Sequence, residues 1–444
     1  MRVLAVTSEV YPLVKTGGLA DVAGALPPAL AAHGAETRTL LPGYPAVMAA
    51  VKRAKPVVSK HSALGVPLRL IAAKIEGLDL LIIDAPSLYD RPGGPYGDAA
   101  GADHPDNWLR FAVLGQVAAD IAGGLVRGWR PDLVHAHDWQ GAMAAAYLRF
   151  GGHGQPSVVT VHNLAFQGHF PATVFARLGL PESAYAMDGV EYYGGVGFLK
   201  AGLQAADAIT TGSPTYAAEI MTSQFGMGLD GLMTARAGAM HGIVNGIDTD
   251  VWNPETDPHL ETGFSARRLK GRSVNRRAVE VAFGLDGDAD PLFVVISRLT
   301  WQKGVDLVLE ASESILTGAG TDAGGRSDTR LVILGAGEHA IEDGLFALQD
   351  YGYVAFDAPS DDGRRILLGR LGDGGAAVGG RGEAVHVVAV GNSVVFIKSL
   401  RGRQERRIVP EMPFPETGRG VAVGFAQVRD RGFRRIETDL RIRR

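Results

Sequence analysis

Short runs of β-branched and other apolar residues alternate along the chain with longer Ala-rich stretches whose apolar positions recur at helical spacing. A strand buried on both faces reads as a continuous apolar run, so this alternation predicts an α/β protein with a parallel sheet wrapped by helices. Arg2–Thr7 (RVLAVT), Leu80–Ile83 closed by Asp84, Leu133–Ala136 and Ser157–Val161 are predicted strands. Asp21–His33 is a predicted helix with Val22, Ala25, Leu26 and Leu30 inward. Pro27-Pro28 should kink it, since proline removes a backbone donor and crowds the preceding turn. Trp108–Ala122 is a longer helix.

A second series opens near Gly242, with a strand at Leu292–Ile296, a helix at Gly304–Leu316 and a strand at Arg330–Leu334 that ends at Gly335-Ala336-Gly337. Two α/β series meeting near residue 245 predict two sheets with a cleft between them. Ligands in such sheets bind beyond the carboxyl ends of the strands, so the loops there are where chemistry is expected.

Composition adds bounds. A chain of 444 residues suits two domains of about 200 residues each. A hydrophobic share of 46% beside 21% charged residues describes a soluble globular protein, and a net charge of −4 gives no global attraction to nucleic acid or to an acidic membrane. There is no cysteine, which excludes disulfides and thiolate metal sites. The first residues lack the apolar core and cleavage site of a secretory signal, and no stretch approaches the roughly 18 apolar residues of a membrane span. The expected compartment is the cytoplasm.

Six segments carry candidate chemistry. In Glu9–Val22 (EVYPLVKTGGLADV), Gly17-Gly18 precedes a helix; paired glycines there let backbone N–H groups approach a phosphate, with Lys15 as a mobile cation. A plain glycine turn with a surface lysine is the alternative. His135-Ala136-His137-Asp138-Trp139-Gln140 closes a strand, and its two histidines sit at alternate positions that face one way. No third metal ligand stands nearby, so a sugar-binding loop is preferred, with Asp138 accepting from hydroxyls and Trp139 packing against an apolar face. His162 follows the strand SVVTV directly, which directs it toward a cleft or leaves it structural. Tyr192-Tyr193 either stacks on sugar rings or packs in the core, the core being the default. Asn245-Gly246-Ile247-Asp248 reads as a turn entering the second domain. In Ser297–Gly304 (SRLTWQKG), Arg298 and Lys303 flank a strand-to-helix junction and can converge on an anion, the fixed positive charge a metal-free transferase needs as a diphosphate departs; two unrelated surface charges are the alternative.

Taken in order and spacing, KTGGLADV, HAHDWQ, VHNLAFQG, NGIDTDVWNP and SRLTWQKG resemble the bacterial glycogen synthases over about residues 1–347. The resemblance implies the GT-B architecture, with two Rossmann-like domains, the first over 1–244 and the start of the second over 245–347. It implies transfer of glucose from ADP-glucose to the non-reducing end of an α-1,4-glucan, with retention and with no metal or cofactor. By position, Lys15 with Gly17 and Gly18 matches the donor contacts, and Asp21, Asp138 and Asn245 match polar residues of the cleft. His162 matches the histidine set against the donor glucose, and Arg298 with Lys303 the pair holding the diphosphate. Tyr96, within Gly93-Gly94-Pro95-Tyr96-Gly97, is assigned to the acceptor glucan.

From about residue 348 the texture changes. Residues 361–444 hold 16 Arg and one Lys, rich in Gly and Val, with no clean helix–strand alternation. Glycogen synthases continue here with further strand–helix units, a Glu-Pro-Cys-Gly-Leu-type donor segment and a T-G-G-L-like loop, and neither motif is present. Pro415-Glu416-Thr417-Gly418 is a superficial echo. An abrupt break near Leu348-Gln349 is what translation in a shifted frame produces, and a divergent domain is the alternative. Two readings of function follow: an active glucan synthase, or a glucan- or nucleotide-binding remnant whose donor site is incomplete. A nicotinamide dehydrogenase would need G-x-G-x-x-G and an acidic residue about 20 positions on, which this chain lacks.

Overall fold

A computed structural model of the chain describes residues 1–51, 54–98, 101–282 and 292–296, positions 303, 304, 307, 308 and 311, and the backbone of a set of strands from Arg330 onward. It divides into two compact units, Met1–Trp252 and Asn253–Arg444.

In the first unit the strands β1 (Arg2–Val6), β2 (Glu36–Pro42), β3 (Pro56–Ala63), β4 (Val66–Ile75), β5 (Leu78–Asp84), β6 (Leu133–His137) and β7 (Ser157–Val161) are followed by three short strands. These are β8 (His169–Pro171), β9 (Glu191–Tyr192) and β10 (Gly195–Gly197), which make a small antiparallel sheet of their own. β11 (Ala208–Thr211) and β12 (Met240–Gly242) return to the main sheet, whose order is β12-β11-β7-β6-β1-β2-β5-β4-β3. Pairing is parallel from β12 through β5 and antiparallel for β5, β4 and β3.

Helix α1 (Gly18–Ala31) leads from β1 to β2; α2 (Pro45–Ala50) and α3 (Pro86–Tyr89) are short. α4 (Asn107–Gly123) carries the chain back past β1 to β6, and α5 (Asp138–Phe150), α6 (Phe198–Ala205), α7 (Pro214–Glu219) and α8 (Asp230–Ala235) follow. The chain therefore winds away from β1 in both directions. Right-handed crossovers then put α1 on one face and α4, α5 and α6 on the other, and the strand order reverses between β1 and β6. Loops leaving β1 and β6 at their carboxyl ends open at that switch point.

The core explains the fit. Leu4, Val6, Leu40, Leu41, Val134, Ala136, Val159 and Val161 are buried in the sheet and α4 is buried almost all round. α4, α5 and α6 pack on one another through small residues. A Cβ on Gly202 would stand 2.5 Å from the Ala142 Cβ, and one on Gly141 would stand 2.7 Å from the Val6 carbonyl oxygen, so side chains there would push α6 off α5 and α5 off the sheet.

The strands expected at residues 2–7, 80–83, 133–136 and 157–161 are present within a residue or two, as is the helix over 108–122. α1 departs from expectation. It starts at Gly18, runs unbroken through Pro27 and Pro28, and buries Leu19, Ala20 and Ala23 while Val22, Ala25, Leu26 and Leu30 are only half-buried. The contact face is set by Gly24, where an added Cβ would meet the Tyr11 carbonyl oxygen at 2.7 Å. Strands β2, β3 and β4 were not anticipated. β3, at the sheet edge, is mostly exposed or half-buried and carries four polar residues in a row at 59–62, so it offers no buried apolar run; its two register shifts and the His61–Asp120 bond of 2.7 Å to α4 finish that edge.

In the second unit α9 (Gly271–Ala282) carries an Arg276–Glu280 ion pair of 2.8 Å. β13 (Leu292–Ile296) pairs in parallel with β14 (Arg330–Leu334), as the apolar runs predicted. Of the helix expected over 304–316, positions 307, 308 and 311 are described and helical. Gly335-Ala336-Gly337, Pro415–Gly418 and most of the Arg-rich tail lie outside the described residues; within that tail, Ala384–Val390 and Ser393–Ser399 pair as an antiparallel hairpin. No helix among the described residues is long and apolar enough to cross a membrane.

Candidate active site

The carboxyl ends of β1, β6, β7 and β11 gather the candidate residues of the first unit. The loop after β1 folds back on itself, with the Val10 and Val14 amides and carbonyls paired at 3.1 and 3.0 Å and the Tyr11 N–H on the Ala20 carbonyl at 3.0 Å. Lys15 donates to both oxygens of Asp21 at 2.7 and 2.8 Å, so the mobile cation and the acidic residue of the first motif hold one another across the loop at the surface. Gly17 has extended backbone, and a Cβ added at Gly17 or Gly18 would meet nothing within 4 Å. The protein's own packing therefore does not require these glycines, and the start of the 14-residue helix α1 is open to an approaching group.

Glu9 is buried in this loop, at 2% exposure. Its carboxylate accepts from the Thr16 N–H, from the Thr16 hydroxyl at 2.6 Å and from the Tyr96 phenol. Ser8 donates in turn to the Tyr96 oxygen at 2.8 Å. Tyr96 is thus tied to the β1 loop. Burial, and next the Glu9 charge, push its phenol well above the ordinary range, so it remains a donor.

At the ends of β6 and β7 the two histidines of the HAHD segment do face one way, with His135 and His137 ring centroids 4.3 Å apart. His162 stacks on His137 at 5.3 Å, and the His137 Nδ1 to His162 Nε2 distance is 3.1 Å. His135 Nε2 lies 2.6 Å from the Thr160 hydroxyl, which lies 2.6 Å from the Thr210 hydroxyl, linking three neighbouring strands. Burial lowers His135 and His162 to about 4, and burial, then the other two imidazoles, hold His137 well below its ordinary value, so the row is neutral at neutral pH. Among the described residues no group of three or more His, Cys, Asp or Glu is arranged to hold a metal ion.

Asp138 begins α5 with φ of 49°, a left-handed conformation rare outside glycine. Its carboxylate accepts the His162 N–H at 2.7 Å and the Asn163 N–H at 3.4 Å, fastening the loop after β7 to the start of α5. Burial nonetheless raises it to about 7, against the pull of those two bonds. Asn245 is exposed beside β11, its side-chain nitrogen 3.3 Å from where a Cβ of Gly212 would stand. The turn expected over residues 245–248 does not form; the chain turns only after it, where Asp248 Oδ1 accepts the Asp250 and Val251 amides at 2.9 and 3.2 Å. Lys303 is exposed in the second unit, and Arg298 lies outside the described residues.

Two aromatic assignments are corrected. Trp139, expected in a sugar loop, is buried against Phe111 at 4.9 Å and Phe170 at 5.8 Å, because the first turn of α5 points it under the sheet's helical layer. Tyr193, expected in the core, is 77% exposed on a turn with φ of 45°. Glu9, Ser8, Thr160 and Thr210 were not singled out beforehand. Only the pairing of Glu9 with Thr16 seven residues on, across a loop closed by two glycines, was a signal available in the sequence.

Residues 2–235 match the starch synthase catalytic domain family. The glycogen synthase of Mesorhizobium japonicum is 58% identical over 349 residues, which cover 78% of this chain and 70% of that protein. The glycogen synthase of Novosphingobium aromaticivorans is 56% identical over 351 residues, covering 78% and 70%. Among solved structures, the catalytic domain of Starch Synthase IV from Arabidopsis thaliana bound to ADP and acarbose superposes with a TM-score of 0.63 at 28% identity, covering 79% of this chain and 71% of that one. The chain belongs to the starch synthase catalytic domain family and is a glycosyltransferase of the glycogen synthase type.

Proposed function

We propose that this chain transfers glucose from ADP-glucose to the non-reducing 4-hydroxyl of an α-1,4-glucan with retention, within a GT-B pair of Rossmann-like domains whose second member is altered after about residue 348. The observation that carries the reading is the neutral His162 at the end of β7, fastened through its backbone to Asp138 beside the switch point. A neutral imidazole can donate to a sugar hydroxyl without adding charge beside a developing oxocarbenium ion. Lys15 and the open Gly17-Gly18 turn receive the donor's diphosphate end, with Lys15 leaving Asp21 to do so. Arg298 and Lys303 neutralise the departing diphosphate. Asp21, Asp138 and Asn245 supply polar contacts or hold those that do, and Tyr96 borders the acceptor side.

In the reaction the acceptor 4-hydroxyl attacks C1 on the face the diphosphate leaves. The C1–O bond to ADP breaks, the new glycosidic bond forms, and the leaving phosphate oxygen takes the hydroxyl proton. A trapped covalent glucosyl-enzyme would overturn this front-face route. The overall reading is tested by incorporation of labelled glucose from ADP-glucose into glycogen, with this chain and with a version whose reading frame is restored past Leu348. Incorporation by both supports it. Incorporation by the restored chain alone locates the missing donor contacts in the altered segment and makes this chain a binding remnant. Incorporation by neither sinks it.

A further inference from the structure

Glu9 stands apart from the residues so far given a role. It is a buried carboxylate on which two loops meet. From one side come the backbone and hydroxyl of Thr16, which directly precedes Gly17 and the start of α1. From the other comes Tyr96, whose own carbonyl accepts from the Asn107 side chain at 2.8 Å and from the His104 amide at 3.0 Å. Arg110, 1% exposed on α4, donates to the Pro95 carbonyl at 2.8 Å and to Asn107 Oδ1 at 2.7 Å. An unbroken set of hydrogen bonds therefore runs from the buried guanidinium of α4 through the 95–96 turn and Glu9 to the glycine turn.

Both Glu9 oxygens are occupied, and Thr7 holds the Glu9 backbone by accepting its N–H at 3.3 Å and donating to its carbonyl at 2.8 Å. Since added side chains at Gly17 and Gly18 would touch nothing, packing does not fix that turn from the outside. What fixes its start is Thr16.

We propose that Glu9 is a positioning residue of the donor site: it holds Thr16, and through it the Lys15–Gly18 turn, in register with the Tyr96 turn, so that the two sides of the switch point are set by one carboxylate. The part concerning ADP-glucose rests on the function proposed above; the brace itself does not. Because the role is to accept hydrogen bonds and not to carry charge to the reacting atoms, it distinguishes two substitutions. Glu9→Gln keeps an oxygen for the Thr16 N–H and offers an NH2 to the Thr16 and Tyr96 hydroxyls, which can turn to accept. Glu9→Ala keeps neither.

The full chain and its E9Q, E9A and Y96F variants are compared by hydrogen–deuterium exchange of the Thr16–Gly18 amides and by the kinetics of glucose incorporation. Exchange is expected to rise about tenfold or more in E9A, a few-fold in Y96F and little in E9Q. The KM for ADP-glucose should rise about tenfold in E9A, the equivalent of about 1.4 kcal/mol, with kcat changed less than about threefold and E9Q close to the parent. Y96F folds with its ring packing on Phe111 retained and guards against misfolding of the alanine variant. Unchanged exchange in E9A and Y96F would overturn the brace. E9Q as damaged as E9A, or a loss confined to kcat, would make Glu9 a charged participant in the chemistry and would overturn the positioning role. If the parent transfers no glucose, the functional reading fails and the exchange measurements alone decide on the brace.

Discussion

The two sides of the β1–β6 switch point bury polar groups by opposite means. On the β1 side Glu9 is buried with three donors converging on its two oxygens, two from Thr16 and one from Tyr96. On the β6–β7 side three imidazoles stack in a row whose hydrogen bonds run to one another and to Thr160, and burial keeps them neutral. Asp138 lies between these cases. Two backbone amides bind it, yet burial outweighs them and raises it to about 7. The comparison teaches that the supply of donors decides how a polar group is kept in this site, because desolvation penalises charge unless hydrogen bonds to the charged form offset it.

The β6–β7 side also rests on an aromatic cluster around Trp139, and breaking it should produce the largest effect. Trp139→Ala removes a ring wedged among Phe111, Phe170 and Phe198. The expected loss is about 3–5 kcal/mol of stability, read from urea unfolding followed by the fluorescence of the remaining buried Trp108 and Trp129. An unchanged transition with weakened glucan binding would return Trp139 to the sugar site and erase the contrast. Next in size is His162→Ala. It removes the donor at the end of the neutral row without touching Glu9, and kcat for glucose transfer should fall about 100-fold or more, as for loss of one preorganised donor. A fall under tenfold would show that the row is structural.

Much of the first unit was legible in the chain. Short apolar runs such as SVVTV and LLII, rich in β-branched residues or bounded by polar ones, favour strands buried on both faces, and they appear as β7 and within β5. Edge strands were not legible, since β3 shows solvent on one side and its sequence PVVSKHSA contains no such run. The inward face of α1 was misjudged because the deciding contact is a main-chain one, Gly24 against the Tyr11 carbonyl, and hydrophobicity does not register it. Within the site, His135 and His137 could be placed from strand alternation, and the position of His162 from its following the strand SVVTV directly. Glu9 could not, since its partner Tyr96 is 87 residues away in sequence and meets it only through the fold. Trp139 and Tyr193 were exchanged in role for a related reason. An aromatic's burial depends on which way its turn of backbone points it, and φ of 45° at Tyr193 turns that ring outward.

The charge balance of the two sides makes a third prediction. His135 and His162 have folded values near 4 against about 6.5 when unfolded, so their contribution is present above pH 6.5 and is lost as pH falls toward 4. Asp138 is raised to about 7 and has the opposite sign: its contribution is present below about pH 3.9, its unfolded value, and is lost as pH rises through 7. Between pH 4 and 6.5 the folded chain thus holds one extra proton at Asp138, which partly offsets the protons the unfolded chain takes on the histidines. Asp138→Asn removes that offset. Stability of the variant should fall more steeply with acidification than that of the parent, by about 1.4 kcal/mol per pH unit between pH 5 and 6, measured by urea unfolding across that range. Parallel curves would mean that Asp138 is ionised throughout and that its two amide donors outweigh its burial.

The smallest effect is expected where neither means of burial operates. Tyr193 contacts Tyr192 edge-on at 4.7 Å, its ring edge runs beside Gly228, and most of it faces solvent on the small β8–β10 sheet. Tyr193→Ala should change stability by no more than about 0.5 kcal/mol, the range of surface substitutions. The residue replaced is nonetheless in a left-handed conformation, which costs any L-residue other than glycine, so Tyr193→Gly should be neutral or slightly stabilising by comparison with alanine. The ordering of the two variants in urea unfolding, glycine at or above alanine, separates backbone from side chain at this turn. A loss above 1 kcal/mol in both would show that the ring contributes to packing despite its exposure, and the aromatic layer under β6 and β7 would then extend farther toward the surface than Phe170.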